Sequence, residues 1–133
     1  AEPETAAPLA LSLAKGSAQR FEEWQPSFVD GAGGQSVFPR MWQRMQPVVD
    51  GSIVVGLDEV RRAMRLLAEK ARVIAEGAGA LAVAAALTGK AGPGPIVAIV
   101  SGGNIDLARF CELIAVPALQ EPRQGPMRGE KLQ

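Results

Sequence analysis

Ile96-Val97-Ala98-Ile99-Val100-Ser101-Gly102-Gly103-Asn104 is the stretch that decides the fold of this 133-residue chain. Its first five residues are all apolar and four of them are β-branched. That pattern predicts a central strand covered on both faces, as in a parallel sheet. The run then stops on a hydroxyl and two glycines. In open α/β sheets, ligands sit beyond the carboxyl ends of strands. Ser101 supplies a donor and acceptor there, and Gly102-Gly103 leaves room for close backbone approach. The same residues also suit an ordinary tight turn with a small cap.

Upstream of this strand, Gly92-Pro93-Gly94-Pro95 is a turn. Before it lies Glu76-Gly77-Ala78-Gly79-Ala80, which opens an Ala-rich helix running to Leu87 and closed by Gly89. Small side chains and no polar stripe predict a helix buried on most sides. Glu76 is a carboxylate beside a ligand or, equally, a helix-capping acid. An amphipathic helix begins at Asp58-Glu59-Val60 and carries Ala63, Leu66, Leu67 and Ala71, its arginines on a solvated face. Asp50-Gly51 turns into a short strand, Ser52 to Val55. Pro39 opens a helix to about Gln46, with Met41, Trp42 and Met45 read as core packing. Residues 17–37 are loop-like, and Thr5 to Lys15 has helical spacing with Gly16 as its stop. Cys111, between Phe110 and Leu113, is expected to be buried and inert. Strands alternate with helices, so the fold class is α/β with a partial, mainly parallel sheet and flanking helices. Only two or three short strands are visible. A doubly covered strand needs neighbours on both sides, so the sequence reads as part of a sheet.

Composition removes whole classes of chemistry. With no His and no Tyr, there is no Ser-His-Asp or Cys-His nucleophile and no His-ligated zinc within this chain. A single cysteine excludes an internal disulfide and a Cys-rich metal site. The 14 Lys+Arg balance 14 Asp+Glu, which gives no basic excess for nucleic acid. Apolar residues at 47% and charged residues at 21% fit a globular domain. The longest helical apolar run, Ala78 to Leu87, is too short to span a bilayer, and no signal segment opens the chain. A cytoplasmic location is therefore expected. Two nucleotide motifs also fail. Gly77-x-Gly79-x-x-Ala82 fits a loose dinucleotide fingerprint, but the next strand ends in Ser101 rather than an acid. Gly89-Lys90 is followed by Ala91 and lacks the upstream glycine of a phosphate loop.

Several segments resemble, in order, the C-terminal half of pyridoxal-phosphate enzymes of the threonine/serine dehydratase and serine racemase group. These are fold type II enzymes, related to the tryptophan synthase β subunit. The segments are Glu2-Pro3, Val29-Asp30-Gly31-Ala32, Phe38-Pro39, the helix from Asp58, Glu76-Gly77-Ala78-Gly79-Ala80, and Ile99 to Asp106. The resemblance implies pyridoxal 5'-phosphate as cofactor. It implies that Ser101 hydrogen-bonds the pyridine nitrogen, where a neutral hydroxyl leaves the ring less protonated than a carboxylate would. It further implies that Glu76 and Gly77 line the ring, that Gly31 and Ala32 approach the substrate through backbone, and that Gly102 and Asn104 support the Ser101 loop.

Two departures stand out. The family's Schiff-base lysine lies in a Ser-x-Lys-x-Arg-Gly-Ala setting that Lys15, Lys70, Lys90 and Lys131 all lack, and the phosphate-cradling glycine loop is missing too. Some members bind a divalent cation through the Glu-Pro glutamate, a carbonyl four residues on and an aspartate two beyond. Glu2 and Ala6 match, but Pro8 holds the aspartate's place, which weakens such a site.

The expectation is thus a lyase that deaminates threonine or serine, with residues 1–115 as the C-terminal part of its catalytic domain and 116–133 as a frayed tail. Its partners would be a small hydroxyamino-acid substrate, the upstream half of the same enzyme on this or a second chain, and further copies in a homo-oligomer. With no room for a regulatory domain, control by isoleucine is not expected. A racemase of the same superfamily, a non-catalytic binding module and a structural partner chain are the alternatives.

Overall fold

The computed structural model describes residues 1–115, so the expected tail at 116–133 lies outside the described residues. β1 (Glu2–Pro3) pairs in parallel with β2 (Val54–Val55), Glu2 opposite Val54 and Pro3 opposite Val55. Between them run α1 (Pro8–Lys15), a 3-10 turn at Asp30–Ala32, and α2 (Pro39–Met45). After β2 come α3 (Leu57–Leu66), which widens into a π-helical turn over Leu67–Ala71, then α4 (Gly77–Leu87) and α5 (Leu107–Ile114).

The helix starts follow local chemistry. Pro8 and Pro39 fall in the first turns of their helices, where a missing N–H costs nothing. Gly16 closes α1 in the left-handed region at φ 66°, as its position predicted. An acid within β1 and another just after it serve the N-termini of two different helices. Glu2 accepts the N–H groups of Leu9 and Ala10, each at 2.7 Å. Glu4 accepts that of Leu57 at 2.8 Å. Each places a negative charge at a positive helix end.

The core lies between α3 and α4. Val60, Ala63 and Met64 of α3 meet Ala80, Leu81 and Ala84 of α4, with Val55, Val29, Ala75 and, from α5, Phe110 and Leu113 around them. Alanines on α4 let the two helices approach closely, and the expectation of a helix buried on most sides holds. The opposite face of α3 is solvated. Arg61 pairs with Asp58 at 2.6 Å, and Arg65 pairs with Glu69 at 2.7 Å. The hydrogen bond from Arg65 is the main reason the Glu69 carboxyl lies below its ordinary range. Arg72, at φ 60°, ends the π-helical turn.

Four expectations are corrected. Residues 96–100 run without a ladder partner, and Val97 is 91% exposed and Ile99 71%. The stretch has strand chemistry, but the described residues supply no neighbouring strands to cover it. The strand expected over Ser52 to Val55 shortens to Val54–Val55. Of the α2 trio only Trp42 is buried, while Met41 is 45% exposed, because so short a helix presents one residue to the interior. Cys111 is exposed rather than buried. It lies on α5 one residue past buried Phe110, and a helix turns about 100° per residue. α5 itself was absent from the sequence reading.

Candidate functional site

Three backbone segments converge beside the α3–α4 core: residues 28–33, 76–79 and 101–105. Val29, fully buried, pins the first of them. Phe28 lies under the Arg61 guanidinium, 4.8 Å from ring centre to carbon, a cation–π contact. The Trp24 indole N–H donates to the Gly33 carbonyl at 2.8 Å, and the Asp30 carboxylate folds onto the Gly31 N–H at 2.8 Å.

Glycines are required where these segments touch. A Cβ on Gly77 would lie 2.7 Å from the Phe28 carbonyl oxygen, and one on Gly31 would lie 3.0 Å from the Ala78 Cβ. A Cβ on Gly79 would overlap the Gly102 carbonyl oxygen, and one on Gly102 would overlap the Glu76 carboxylate. On Gly103 it would overlap the Ile74 carbonyl oxygen. At Gly77, Gly79 and Gly103 the nearest neighbour is a backbone oxygen, which cannot rotate aside for a side chain.

Glu76 is the tie. It stands at the N-cap of α4, yet its side chain makes no capping bond to that helix. The carboxylate instead accepts a short hydrogen bond from the Asn104 N–H. The Glu76 N–H also reaches the Gly102 carbonyl at 3.4 Å. The capping reading of Glu76 does not hold, since its carboxylate ties the start of α4 to the 102–104 loop instead. Asn104 supports the loop through its backbone N–H.

Asp30, Gly31, Glu76 and Asn104 share the wall of one cleft of about 390 Å³. Next to it a cleft of about 460 Å³ adds Phe28, Ile105, Asp106 and Arg109. Gly77 and Gly102 form the packed junction behind these walls. Ser101 stands apart from both linings, exposed on the flank of the loop. Ala32 packs against the core. Asp30, Asp106 and Arg109 were missed as site residues. Asp30 and Asp106 were legible inside the Val29 to Ala32 and Ile99 to Asp106 segments, while Arg109 required the unseen α5.

The cleft walled by Asp30, Gly31, Glu76 and Asn104 has room for one end of a flat ring. Glycine backbone offers a wall without side chains, and a serine hydroxyl beside it is open to a ligand. No lysine lines either cleft, so the described residues supply no covalent anchor there. The divalent cation does not fit. Both Glu2 oxygens are engaged at the α1 N-terminus, and Oε2 also accepts the Ser52 hydroxyl at 2.6 Å. Ala6 is buried nearby, Pro8 has no side-chain oxygen, and among the described residues no group of three acids, His or Cys could hold a metal.

Backbone walls and one tied carboxylate on α/β scaffolding form a glycine-walled junction beside two clefts. The chain belongs to the family described as pyridoxal-phosphate dependent enzyme, whose model matches residues 1–102. It is 38% identical over 104 residues to L-threonine ammonia-lyase of Thermotoga maritima, covering 77% of this chain and 26% of that protein. The processed form of threonine deaminase isoform 2 from Solanum lycopersicum superposes with a TM-score of 0.77 at 30% identity, over 89% of this chain and 35% of that one. Maize serine racemase gives 0.73 at 30% identity, over 86% and 38%. These solved structures are fold type II pyridoxal-phosphate enzymes, and the match is to the C-terminal portion of that fold. The chain spans about a quarter of the length of the curated relatives it matches. Among the described residues, no helix is long and apolar enough to cross a membrane.

Proposed function

We propose that this chain is part of a pyridoxal-phosphate-dependent lyase that deaminates threonine or serine to a 2-oxo acid and ammonia. Residues 1–115 form the part of its catalytic domain that holds the ring end of the cofactor. The observation that carries this reading is the glycine-walled junction of residues 28–33, 76–79 and 101–105, locked by Glu76. When bound, the cofactor supplies an electron sink that acidifies the substrate Cα–H and eases loss of the β-hydroxyl.

The residues of this chain then have distinct jobs. Ser101 offers a neutral hydroxyl to the pyridine nitrogen and so leaves it less protonated than an acid would. Glu76 lines the ring, and Gly77, buried behind it, lets the 28–33 segment close in. Gly31 and Ala32 present backbone to the substrate, and the Gly102–Asn104 backbone keeps Ser101 in place. The lysine that moves the Cα proton and the loop that binds the phosphate belong to the rest of the complete protein. So does the activity, which we place in the cytoplasm and in a homo-oligomer.

Serine racemase is the second reading, favoured by the likeness to the maize enzyme. Incubating the complete protein with L-threonine and L-serine separates the two. We expect 2-oxobutyrate and pyruvate; D-serine without pyruvate would overturn the lyase assignment. Ser101→Ala removes one hydrogen bond worth about 1 kcal/mol, so cofactor affinity should fall about fivefold with the fold intact. Ser101→Asp should shift the cofactor absorbance toward that of a protonated ring. Two variants with the parent's affinity and spectrum would remove Ser101 from the site.

A further inference from the structure

We infer that the Glu2 carboxylate is an internal clamp standing where a divalent cation would otherwise be held, and that this protein takes up no cation there. A hard cation such as Mg²⁺ or Ca²⁺ needs six or more oxygen donors, at least one or two of them carboxylates with lone pairs to spare. Glu2 spends its oxygens on protons instead. Oε1 accepts the Leu9 N–H at 2.7 Å, while Oε2 accepts the Ala10 N–H at 2.7 Å and the Ser52 hydroxyl at 2.6 Å. All three partners are donors, so each would repel a cation at the same oxygens. The α1 N-terminus adds its positive dipole end to the same spot.

The surroundings offer no replacement. Pro8 presents only a ring at the position where a third, anionic ligand would be needed. Glu4, the next acid along, is turned the other way and accepts the Leu57 N–H of α3. Glu2 is itself buried, 8% exposed, so a cation would have to displace these donors without water completing its shell. The clamp also does the mechanical work a cation could do. Through one carboxylate it joins β1, the first turn of α1 and the residue two before β2, groups 50 residues apart in sequence.

The inference stands apart from the proposed reaction, because its test reads binding and stability rather than turnover. The complete protein, treated with EDTA and dialysed, is titrated calorimetrically with CaCl₂, MgCl₂ and MnCl₂, beside Glu2→Gln and the milder Ser52→Ala. We expect no saturable heat from the parent and a melting temperature unchanged by any of the three cations. Glu2→Gln should melt roughly 2–4 °C lower, by the same amount with and without cation. Saturable uptake by the parent that Glu2→Gln abolishes would overturn the inference. So would a parent melting temperature that rises with cation and stays flat in either variant.

Discussion

Gly79→Ala, a single added methyl, should loosen cofactor binding by the complete protein about 30-fold. Gly79 is buried in the first turn of α4, and the added Cβ would overlap the carbonyl oxygen of Gly102. That oxygen is backbone and cannot rotate aside. α4 cannot yield either, because Ala80, Leu81 and Ala84 seat it in the core against α3. The 101–104 loop must therefore move. Overpacking of this kind costs up to about 3 kcal/mol, and the alanine returns about 1 kcal/mol of helix propensity. Sterics win by about 2 kcal/mol, which is about 30-fold if it falls on the loop. Gly34→Ala is the control, since nothing lies within 4 Å of its added Cβ. Fluorescence titration with pyridoxal phosphate, together with thermal denaturation, reads both variants. If Gly79→Ala behaved like Gly34→Ala, the junction would be looser than the packing requires.

The sequence announced this junction only in part. Glycines at 77, 79, 102 and 103 were visible, but their reason was not. Which glycine faces which carbonyl depends on how α4 and the 101–105 loop meet, and no local pattern encodes that contact. The helices at 8–15, 39–45, 57–66 and 77–87 were legible because prolines, acids and apolar spacing mark them locally. α5 carries a similar signal, Asp106 followed by Leu107, Phe110, Cys111 and Ile114, but its eight residues give too few turns for the period to stand out. Residues 96–100 make the opposite case. Their β-branched run predicts a covered strand, but pairing and burial belong to a strand's neighbours, and the described residues hold none beside it. Glu2 shows a further limit. The family resemblance implied a weak cation ligand, whereas the carboxylate's partners, Leu9, Ala10 and Ser52, are set by the parallel pairing of β1 with β2.

Glu76→Ala should have the second large effect, about tenfold weaker cofactor binding, with Glu76→Gln between it and the parent. The Glu76 carboxylate is the only side chain that ties the start of α4 to the 102–104 loop among the described hydrogen bonds. A hydrogen bond to a charged acceptor contributes about 1.5–3 kcal/mol. Asn104 is exposed, so water partly replaces the lost acceptor, and the lower end of that range applies. Glutamine keeps an oxygen of similar reach without the charge, and a neutral acceptor is roughly half as strong. The backbone bond from the Glu76 N–H to Gly102 survives in both variants, so the fold should hold. Hydrogen exchange at the Asn104 amide distinguishes a tie from a direct ring contact. If Glu76 acts through the loop, protection at Asn104 and cofactor affinity fall together, in the order parent, glutamine, alanine. A fall in affinity with Asn104 still protected would make Glu76 a ring contact alone, and unchanged affinity with lost protection would separate the loop from the cofactor altogether.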